Sequence, residues 1–238
     1  MNIWEGIYDD FKSCPVEGLG HLSTRWRDRS EAKLNLLRAQ TDTVPHQNEA
    51  ALAQLISTMD KSLVSVLDVG GNLGFSYIHL KRACSKPVRY SVMELPNICA
   101  IGCKEWAGHS DIEFVEQLPV RQFDVLYMSN SLQYFDDWRG FLSLAAASTR
   151  PQYILLANLF AGDIPTYATI QNYYESKMAS WFFNVQEIIS HISLLGFDLV
   201  FKTAYTGQFL SVYQDVPMDN LPQSHRIKNI CTLLFEVR

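Results

Sequence analysis

From residue 63 onward, short apolar runs alternate along the chain with amphipathic segments of helical length. The apolar runs are rich in β-branched and aromatic residues and predict five strands, over Leu63 to Val69, Val88 to Glu94, Ile112 to Val115, Phe123 to Met128 and Tyr153 to Asn158. The segments between them predict helices over Phe75 to Cys84, Asn97 to Trp106 and Trp138 to Ser148. This alternation is typical of β-α-β units around a mostly parallel sheet.

Two further strands are predicted in the last third of the chain, near Asp198 to Thr203 and Asn229 to Val237. A helix over Val185 to Leu195 precedes them, and Gly196 is predicted to end it as a left-handed cap. A late strand of this kind supplies an antiparallel edge to a parallel sheet. The sequence therefore predicts an α/β fold with a doubly wound, mostly parallel, seven-stranded Rossmann-like sheet and an antiparallel C-terminal strand.

Other segments lack this alternation. Residues 1 to 30 are rich in aromatic residues and glycine and show no clear period, so we interpret them as an arm. Pro45 opens a predicted helix over residues 45 to 59. The aromatic stretch from Leu159 to Phe183 predicts irregular structure, and the connection between the two late strands is long and polar.

Composition narrows the classes of function. The 238 residues carry a net charge of −5, which argues against a nucleic-acid-binding surface, and the basic run Arg25, Arg27 and Arg29 is interpreted as a solvated loop leading into a helix. No apolar run is long enough to span a bilayer and the first residues form no signal core, so a cytoplasmic protein is predicted. The five scattered cysteines indicate neither a disulfide framework nor a zinc site, and no metal is predicted.

The most informative stretch is the glycine-rich turn after the first predicted strand of the sheet, Asp68-Val69-Gly70-Gly71-Asn72-Leu73-Gly74. Such a turn lies beyond the carboxyl ends of the strands, where Gly70 and Gly71 let the backbone approach a ligand and Gly74 lets the next helix pack near the strand. The spacing does not fit the G-x-G-x-x-G of a dinucleotide site. Asp68 would repel a pyrophosphate but attract the ammonium and sulfonium groups of S-adenosylmethionine (SAM).

A second acid supports a nucleoside ligand. Glu94 ends the next predicted strand, where a carboxylate accepts hydrogen bonds from both ribose hydroxyls. Its occurrence together with the glycine-rich turn favours a binding site over a purely structural turn.

With these residues the chain resembles the class I SAM-dependent methyltransferases, whose first motif is acid-x-G-x-G-x-G. Asp68, Gly70 and Gly74 match this motif, whereas Asn72 stands at the middle glycine and Gly71 fills the adjacent position. The resemblance implies SAM as cofactor, S-adenosylhomocysteine (SAH) as product, and no metal. Beyond the turn and Glu94, it implies cofactor contacts from Leu95, Glu116, Gln117, Leu118, Ser129, Asn130 and Ser131.

Further motifs resemble a narrower family of methyltransferases associated with bacterial polysaccharide biosynthesis loci. They are Trp4-Glu5-Gly6-Ile7-Tyr8, Leu67-Asp68-Val69-Gly70-Gly71, Ser131-Leu132-Gln133-Tyr134, and Thr166 to Gln171 followed by Trp181-Phe182. This resemblance implies methyl transfer to a small molecule, as O-methylation of a sugar or glycan precursor. Residues 1–60 are then expected to be an N-terminal arm and helices that cover the active site, and residues 61–238 the SAM-binding domain, with 159–183 as an insertion on the acceptor side.

A general base would assist methyl transfer to a hydroxyl group, but no motif of the sequence identifies such a base. The candidate catalytic residues are His21 and His46 as bases from the N-terminal segment and Tyr134 and Gln171 as acceptor contacts, with Asp163 and Tyr167 as further candidates. The aromatic stretch has two interpretations, an acceptor wall or ordinary core. Two other functions stay open, an NAD(P)-dependent oxidoreductase and a SAM-binding regulatory or scaffold protein without catalysis, and a homodimer is one alternative for the assembly.

Overall fold

The computed structural model describes residues 2–40, 47–173, 175–209 and 212–238. In these ranges the helices are α1 (Thr24–Ala39), α2 (Gln47–Thr58), α3 (Phe75–Ala83), α4 (Pro96–Glu105), α5 (Trp138–Thr149) and α6 (Val185–Leu194). The strands are β1 (Trp4–Tyr8), β2 (Val64–Val69), β3 (Val88–Met93), β4 (Ile112–Val115), β5 (Val125–Ser129), β6 (Tyr153–Leu159), β7 (Ala161–Gly162), β8 (Tyr167–Tyr173), β9 (Ser176–Asn184), β10 (Phe197–Tyr205), β11 (Gln208–Phe209), β12 (Val212–Tyr213) and β13 (Ile230–Val237). Within these ranges, no helix has both the length and the apolar character that crossing a membrane requires.

Seven strands form the main sheet in the order β10-β13-β6-β5-β2-β3-β4. β2 pairs in parallel with β3 and β5, and β3 pairs in parallel with β4. β10 and β13 pair antiparallel along their length, and Gly196 ends α6 with a φ of +94°. This confirms the predicted α/β fold, with a mostly parallel seven-stranded sheet and an antiparallel C-terminal strand. The predicted ends of its strands differ from the observed ends by at most two residues.

Two compact units make up the chain, and each is described by itself. Residues 24–129 and 144–155 form the first, which we call the glycine-loop unit because it contains the turn between β2 and α3. Residues 1–23, 130–143 and 156–238 form the second, which we call the hairpin unit. The roles assigned from the sequence to residues 1–60 and 61–238 stay predictions.

The hairpin unit takes its name from β8 and β9, which overturn the prediction of irregular structure over residues 159–183. These strands pair antiparallel from Tyr167↔Phe182 to Tyr173↔Ser176, and β1 extends the sheet by pairing with β8. Consecutive residues of β8 and β9 are buried on both faces. The sequence therefore lacks the two-residue period by which a half-exposed strand is recognised.

Aromatic side chains fill the core of the hairpin unit. The ring of Trp4 lies 5.0 Å from that of Phe160 and 4.9 Å from that of Phe182, and Phe182 stacks on Tyr167 at 5.5 Å. For these residues the structure supports the core interpretation of the aromatic stretch. The connection from β10 to β13, expected to be polar, adds buried apolar residues to the same core, namely Val216, Met218, Leu221 and Ile227.

The N-terminal segment is also more regular than predicted. Residues 1–30 include β1 and the first turns of α1, so Arg25, Arg27 and Arg29 lie in a helix and the prediction of a solvated loop is wrong. The sequence does not indicate α1, because the buried stripe of this helix is narrow. The stripe consists of Ser30, Leu34 and Leu37 on an otherwise charged helix. α2 covers most of the helix predicted over residues 45 to 59, and Pro45 lies outside the described residues.

Candidate functional site

Three residues of the glycine-rich turn between β2 and α3 have a left-handed backbone conformation. Gly70, Asn72 and Gly74 have φ angles of +75°, +53° and +80°, a conformation that glycine and asparagine tolerate best. At Gly71 a Cβ atom would lie 2.3 Å from the Oδ2 atom of Asp68, so the space above the aspartate admits only glycine. The backbone of the turn is therefore tightly determined.

The carboxylate of Asp68 lies next to Gly71 and supports the turn. Its side chain is 1% exposed, and Oδ2 accepts a hydrogen bond of 2.7 Å from the hydroxyl of Tyr90 on β3. Burial, followed by the charge of Asp68, raises the pKa of Tyr90 well above its ordinary value, so the hydroxyl keeps its proton and donates. The attraction between Asp68 and a cationic ligand stays a prediction.

Glu94 follows β3 and lies beside the turn. Its Oε1 accepts the N–H of Asn72 at 3.1 Å, and its Oε2 accepts the N–H of Leu95 at 2.8 Å. Burial raises the pKa of Glu94, and these two hydrogen bonds oppose that rise. Because an ionised carboxylate offers about four acceptor positions, two remain for hydroxyl groups of a ligand.

Asn72 has more contacts than a glycine at its position would have. Its Oδ1 accepts the N–H of Leu73 at 2.8 Å, and its Nδ2 donates to the Oγ of Ser30 on α1 at 3.0 Å. The indole of Trp106 fixes the same segment by donating to the carbonyl of Leu73 at 2.9 Å. Ser30 is not among the predicted site residues, because α1 is not predicted from the sequence. The only feature of the sequence that marks Ser30 is its place in the apolar stripe of that helix.

The other predicted cofactor residues of the glycine-loop unit follow neighbouring strands. The N–H of Glu94 donates to the carbonyl of Val115 at 3.1 Å, which places the ends of β3 and β4 side by side. Because β2, β3, β4 and β5 are parallel, their carboxyl ends share one edge of the sheet. That edge carries the turn, Glu94, Leu95 and the residues after β4 and at the end of β5, namely Glu116, Gln117, Leu118 and Ser129.

Asn130 and Ser131 belong to the hairpin unit. Asn130 is exposed, has a φ of +54°, and its Oδ1 accepts a hydrogen bond of 2.7 Å from Nε2 of Gln133. Ser131 is buried and begins a short 3-10 helix over Leu132–Tyr134. Both residues thus follow β5 directly, as the sequence predicts.

One of the predicted catalytic residues, Tyr134, contacts two others within the hairpin unit. The Tyr134 hydroxyl donates to Oε1 of Gln171 at 2.7 Å, and the rings of His21 and Tyr134 meet edge to face with centroids 4.8 Å apart. His46 lies outside the described residues. We call His21, Tyr134 and Gln171 the acceptor cluster, after the contacts with an acceptor that the sequence predicts for this region.

The acceptor cluster is uncharged near neutral pH. Burial lowers the pKa of His21 from 6.5 to about 4. Burial also raises the pKa of Tyr134 to about 12, although its hydrogen bond to Gln171 opposes the rise. At pH 7 the cluster therefore contains a neutral imidazole, a phenol and an amide, which donate and accept hydrogen bonds without a net charge.

The remaining candidates are less suited to chemistry. Tyr167 is 2% exposed and donates to the carbonyl of His225 at 2.6 Å, within the core. Asp163 is exposed. In the part of the chain that the structure describes, no group of three or more His, Cys, Asp or Glu side chains is arranged to hold a metal ion.

The strand order and the position of the turn define the fold as that of the class I methyltransferases, and solved structures of such enzymes share it. One is the 1,6-didemethyltoxoflavin-N1-methyltransferase of Burkholderia thailandensis with bound substrate and SAH, which is 15% identical, with 90% of this chain and 86% of that chain covered and a TM-score of 0.56. Magnesium protoporphyrin IX methyltransferase of Synechocystis PCC 6803 with bound SAH is 10% identical, with 92% and 97% covered and a TM-score of 0.60. The SAM-bound amino pentose methyltransferase CalS10 of Micromonospora echinaspora is 11% identical, with 87% and 96% covered and a TM-score of 0.53.

These likenesses establish the fold, as predicted from the sequence. In sequence alone, no known protein family and no curated protein matches the chain.

Proposed function

We propose that this protein is a SAM-dependent methyltransferase that acts on a small-molecule acceptor. The observation that carries the proposal is the Glu94 carboxylate, which follows β3 and is held against the glycine-rich turn by the N–H of Asn72 at 3.1 Å. A carboxylate fixed in this place, with acceptor positions left over, suits the two hydroxyls of a ribose. Solved methyltransferases of the same fold hold SAM or SAH.

The charges around the turn favour SAM over a dinucleotide. From Asp68 to Phe75 the sequence contains no basic side chain, and Glu94 adds a second acid. The negative charge of Asp68 disfavours a pyrophosphate and favours a ligand that carries positive charge, whereas Glu94 suits the ribose hydroxyls of either kind of ligand. This argues against the NAD(P)-dependent oxidoreductase.

When bound, SAM supplies a methyl group activated by the positively charged sulfur. We assign the ribose hydroxyls to Glu94 and the approach of the backbone to Gly70 and Gly71. Asp68 fixes the turn and contributes negative charge. The resemblance assigns the adenine to the residues after β4, Glu116, Gln117 and Leu118, and the methionine part to Ser129, Asn130 and Ser131 at and after the end of β5. Leu95 is a further proposed cofactor contact.

For the acceptor, we propose a hydroxyl group of a sugar or glycan precursor, contacted by the acceptor cluster and His46. The Tyr134 hydroxyl occupies Oε1 of Gln171, so the amide NH₂ of Gln171 is oriented by this bond and serves as a donor. His21 accepts a proton as a neutral imidazole, but its low pKa makes it a weak base. Catalysis then depends mainly on alignment of the acceptor with the methyl group, a contribution of about 7–11 kcal/mol in well-oriented reactions.

A role in polysaccharide biosynthesis in the cytoplasm is part of this proposal. It rests on the resemblance of the N-terminal, turn and Ser131–Tyr134 motifs, and CalS10, an amino pentose methyltransferase, shows that the fold accommodates sugar acceptors. A homodimer remains one alternative for the assembly.

One observation favours a second candidate, a SAM-binding regulatory protein without methyl transfer. The acceptor cluster is uncharged and its only base is weakened by burial. Incubation of the protein with methyl-labelled SAM and extracts of small metabolites distinguishes the two, because only a methyltransferase moves the label to an acceptor.

Binding calorimetry with SAM, SAH, NAD and NADP tests the cofactor. We expect SAM and SAH to bind and Glu94→Gln to weaken SAH binding by about tenfold or more, since a hydrogen bond to a charged group contributes about 1.5–3 kcal/mol. SAH affinity should also fall as the pH is lowered through the raised pKa of Glu94, because a protonated carboxyl loses acceptor capacity. Glu94→Gln should remove this pH dependence.

Glu113→Gln is the matched control, since Glu113 is an exposed acid on β4 that pairs with Arg121. It should leave SAH affinity unchanged. Binding of NAD or NADP in preference to SAM, or equal SAH affinity of Glu94→Gln and the unmodified protein, would contradict the proposed function.

A further inference from the structure

We propose that Ser30 and Asn72 are positioning residues for the glycine-rich turn. Through the hydrogen bond between these two side chains, helix α1 holds the turn in its binding conformation. The part of this inference that concerns ligand affinity rests on the proposed function. The part that concerns the order of the turn does not. Asn72 stands where the methyltransferase motif has its middle glycine, so the link replaces the freedom of a glycine by defined contacts.

Asn72 joins three elements at once. Its side-chain Nδ2 reaches Ser30 on α1 at 3.0 Å, its Oδ1 accepts the N–H of Leu73 at 2.8 Å, and its backbone N–H donates to Glu94 at 3.1 Å. Asn72 and Ser30 are only 6% and 3% exposed, so water does not readily replace their hydrogen bond. A change at Ser30 therefore reaches the Glu94 carboxylate through a single residue.

The left-handed conformation of Asn72 explains why the side chain matters. With a φ of +53°, the residue occupies a region that is unfavourable for side chains in general. Contacts at both ends of the amide stabilise that conformation and orient the backbone N–H toward Glu94. A glycine at this position would adopt the same φ without strain. It would not hold the backbone there, so the turn could also adopt other conformations.

Helix α1 is a firm support, because several contacts fix the part of the helix that follows Ser30. Leu34 and Leu37 are 1% and 6% exposed in the core of the glycine-loop unit. The ammonium of Lys33 lies 4.5 Å from the ring of Phe75, the first residue of α3. The buried stripe of α1 thus carries the serine to the turn in a fixed place.

The C-terminal end of α1 is anchored as well. Arg38 pairs with Glu105 at 2.8 Å and its guanidinium lies 4.7 Å from the ring of Trp106, the residue whose indole holds the carbonyl of Leu73. Arg82 of α3 donates to the carbonyl of Leu37 at 2.6 Å. Helix α1 and Trp106 therefore hold the turn from two directions.

Calorimetry of SAH binding to Ser30→Ala, Asn72→Gly and the double variant tests the link. Each single change removes one partner of a buried hydrogen bond, so each should lower SAH affinity about three- to tenfold. In the Asn72→Gly background, Ser30→Ala should cause no further loss of affinity, because the partner of the Ser30 hydroxyl is already absent. Independent, additive losses would overturn the proposal.

Two controls separate positioning from general stability. Ser30→Thr keeps the hydroxyl and should retain most of the affinity. Ser57→Ala removes a helical serine of the same unit, whose hydroxyl donates to the carbonyl of Ala53 at 2.7 Å, and should lower the melting temperature without changing SAH affinity. An equal effect of Ser57→Ala and Ser30→Ala on affinity would overturn the proposal.

Hydrogen exchange of the ligand-free protein tests the order of the turn without reference to SAM. The N–H of Leu73 is bonded to Asn72 and that of Gly74 to the carbonyl of Gly71, so peptides covering residues 70–74 should exchange several-fold faster in Ser30→Ala and Asn72→Gly. Unchanged exchange would refute the positioning role. If the unmodified protein binds no SAH, the proposed function fails, while the exchange rates still decide on the link.

Discussion

The glycine-rich turn with Glu94 and the acceptor cluster are built in opposite ways. The turn itself is one short segment, to which Glu94 is added from the end of the neighbouring strand, and its backbone is fixed by left-handed residues and by Asp68 next to Gly71. The acceptor cluster joins His21, Tyr134 and Gln171 from three distant segments and contains only neutral side chains. The proposed cofactor site thus depends mainly on a local turn, whereas the proposed acceptor site depends on the folded hairpin unit.

The two regions therefore depend on different interactions. The turn depends on backbone conformation, and few atoms can be added to it. The acceptor cluster depends on strand β8, which is held between β1 and β9 and rests on the aromatic core around Trp4 and Phe182. Three substitutions test this contrast, beginning with the one of largest expected effect.

Phe182→Ala should lower the free energy of unfolding by about 3–5 kcal/mol, as expected for truncation of a buried aromatic residue. Phe182 is fully buried, and its ring contacts those of Trp4, Phe160 and Tyr167. Urea unfolding measures the change. Phe201→Ala on β10 is the control, since Phe201 is 47% exposed, and it should cost about 1 kcal/mol or less. Similar losses in the two variants would show that the aromatic core does not support the hairpin unit.

Gly71→Ala should reduce SAH affinity more than tenfold and lower stability by about 1–3 kcal/mol, the usual cost of overpacking. The added Cβ would lie 2.3 Å from Asp68 Oδ2, so the turn or the aspartate must move. Calorimetry and thermal unfolding measure the two effects. Gly108→Ala is the control, because its Cβ meets nothing within 4 Å and only its φ of +88° is strained. Normal SAH binding by Gly71→Ala would show that the turn is more adaptable than its geometry implies.

Tyr134→Phe should lower the free energy of unfolding by about 1 kcal/mol, because it leaves Oε1 of Gln171 without its hydrogen bond in a buried place. SAH affinity should not change, because the proposed role of Tyr134 is contact with the acceptor and not with the cofactor. Once an acceptor is identified, its KM should rise more than kcat falls. Tyr153→Phe, which removes a hydroxyl in the glycine-loop unit, serves as a control for loss of a phenol. A drop in SAH affinity equal to that of Glu94→Gln would remove the distinction between the two regions.

How far the sequence could predict these regions follows from the range of their interactions. The strand–turn–helix segment from Val64 to Ala83 was predicted nearly residue by residue, because a buried apolar run, a glycine cluster and a helical period follow one another. The hairpin of β8 and β9 was missed because both of its faces are buried, so no alternation of polar and apolar residues marks it. Helix α1 was missed for the reverse reason, since its buried stripe of Ser30, Leu34 and Leu37 is too narrow.

For the candidate site, the sequence identified residue types better than contacts. It placed Asp68 and Glu94 at strand ends, but only the structure shows that Asp68 accepts from Tyr90 and that Glu94 accepts from Asn72. It indicated His21, Tyr134 and Gln171 one by one, and the structure shows that Tyr134 contacts both of the others. Ser30 is much harder to identify from the sequence, because its link to the turn is a hydrogen bond to a residue of another element.

By itself, the sequence determined the succession along the chain of the strands of the main sheet and the helices between them, and the position of the glycine-rich turn. Local period, turn residues and short spacings are written in consecutive positions, and the backbone responds to them directly. Only the tertiary structure decided that residues 1–23 and the hairpin of β8 and β9 form one unit, and that α1 reaches Asn72. These contacts join segments far apart in the chain, and packing and hydrogen bonding between such segments depend on the three-dimensional fit of whole elements, which no local pattern records.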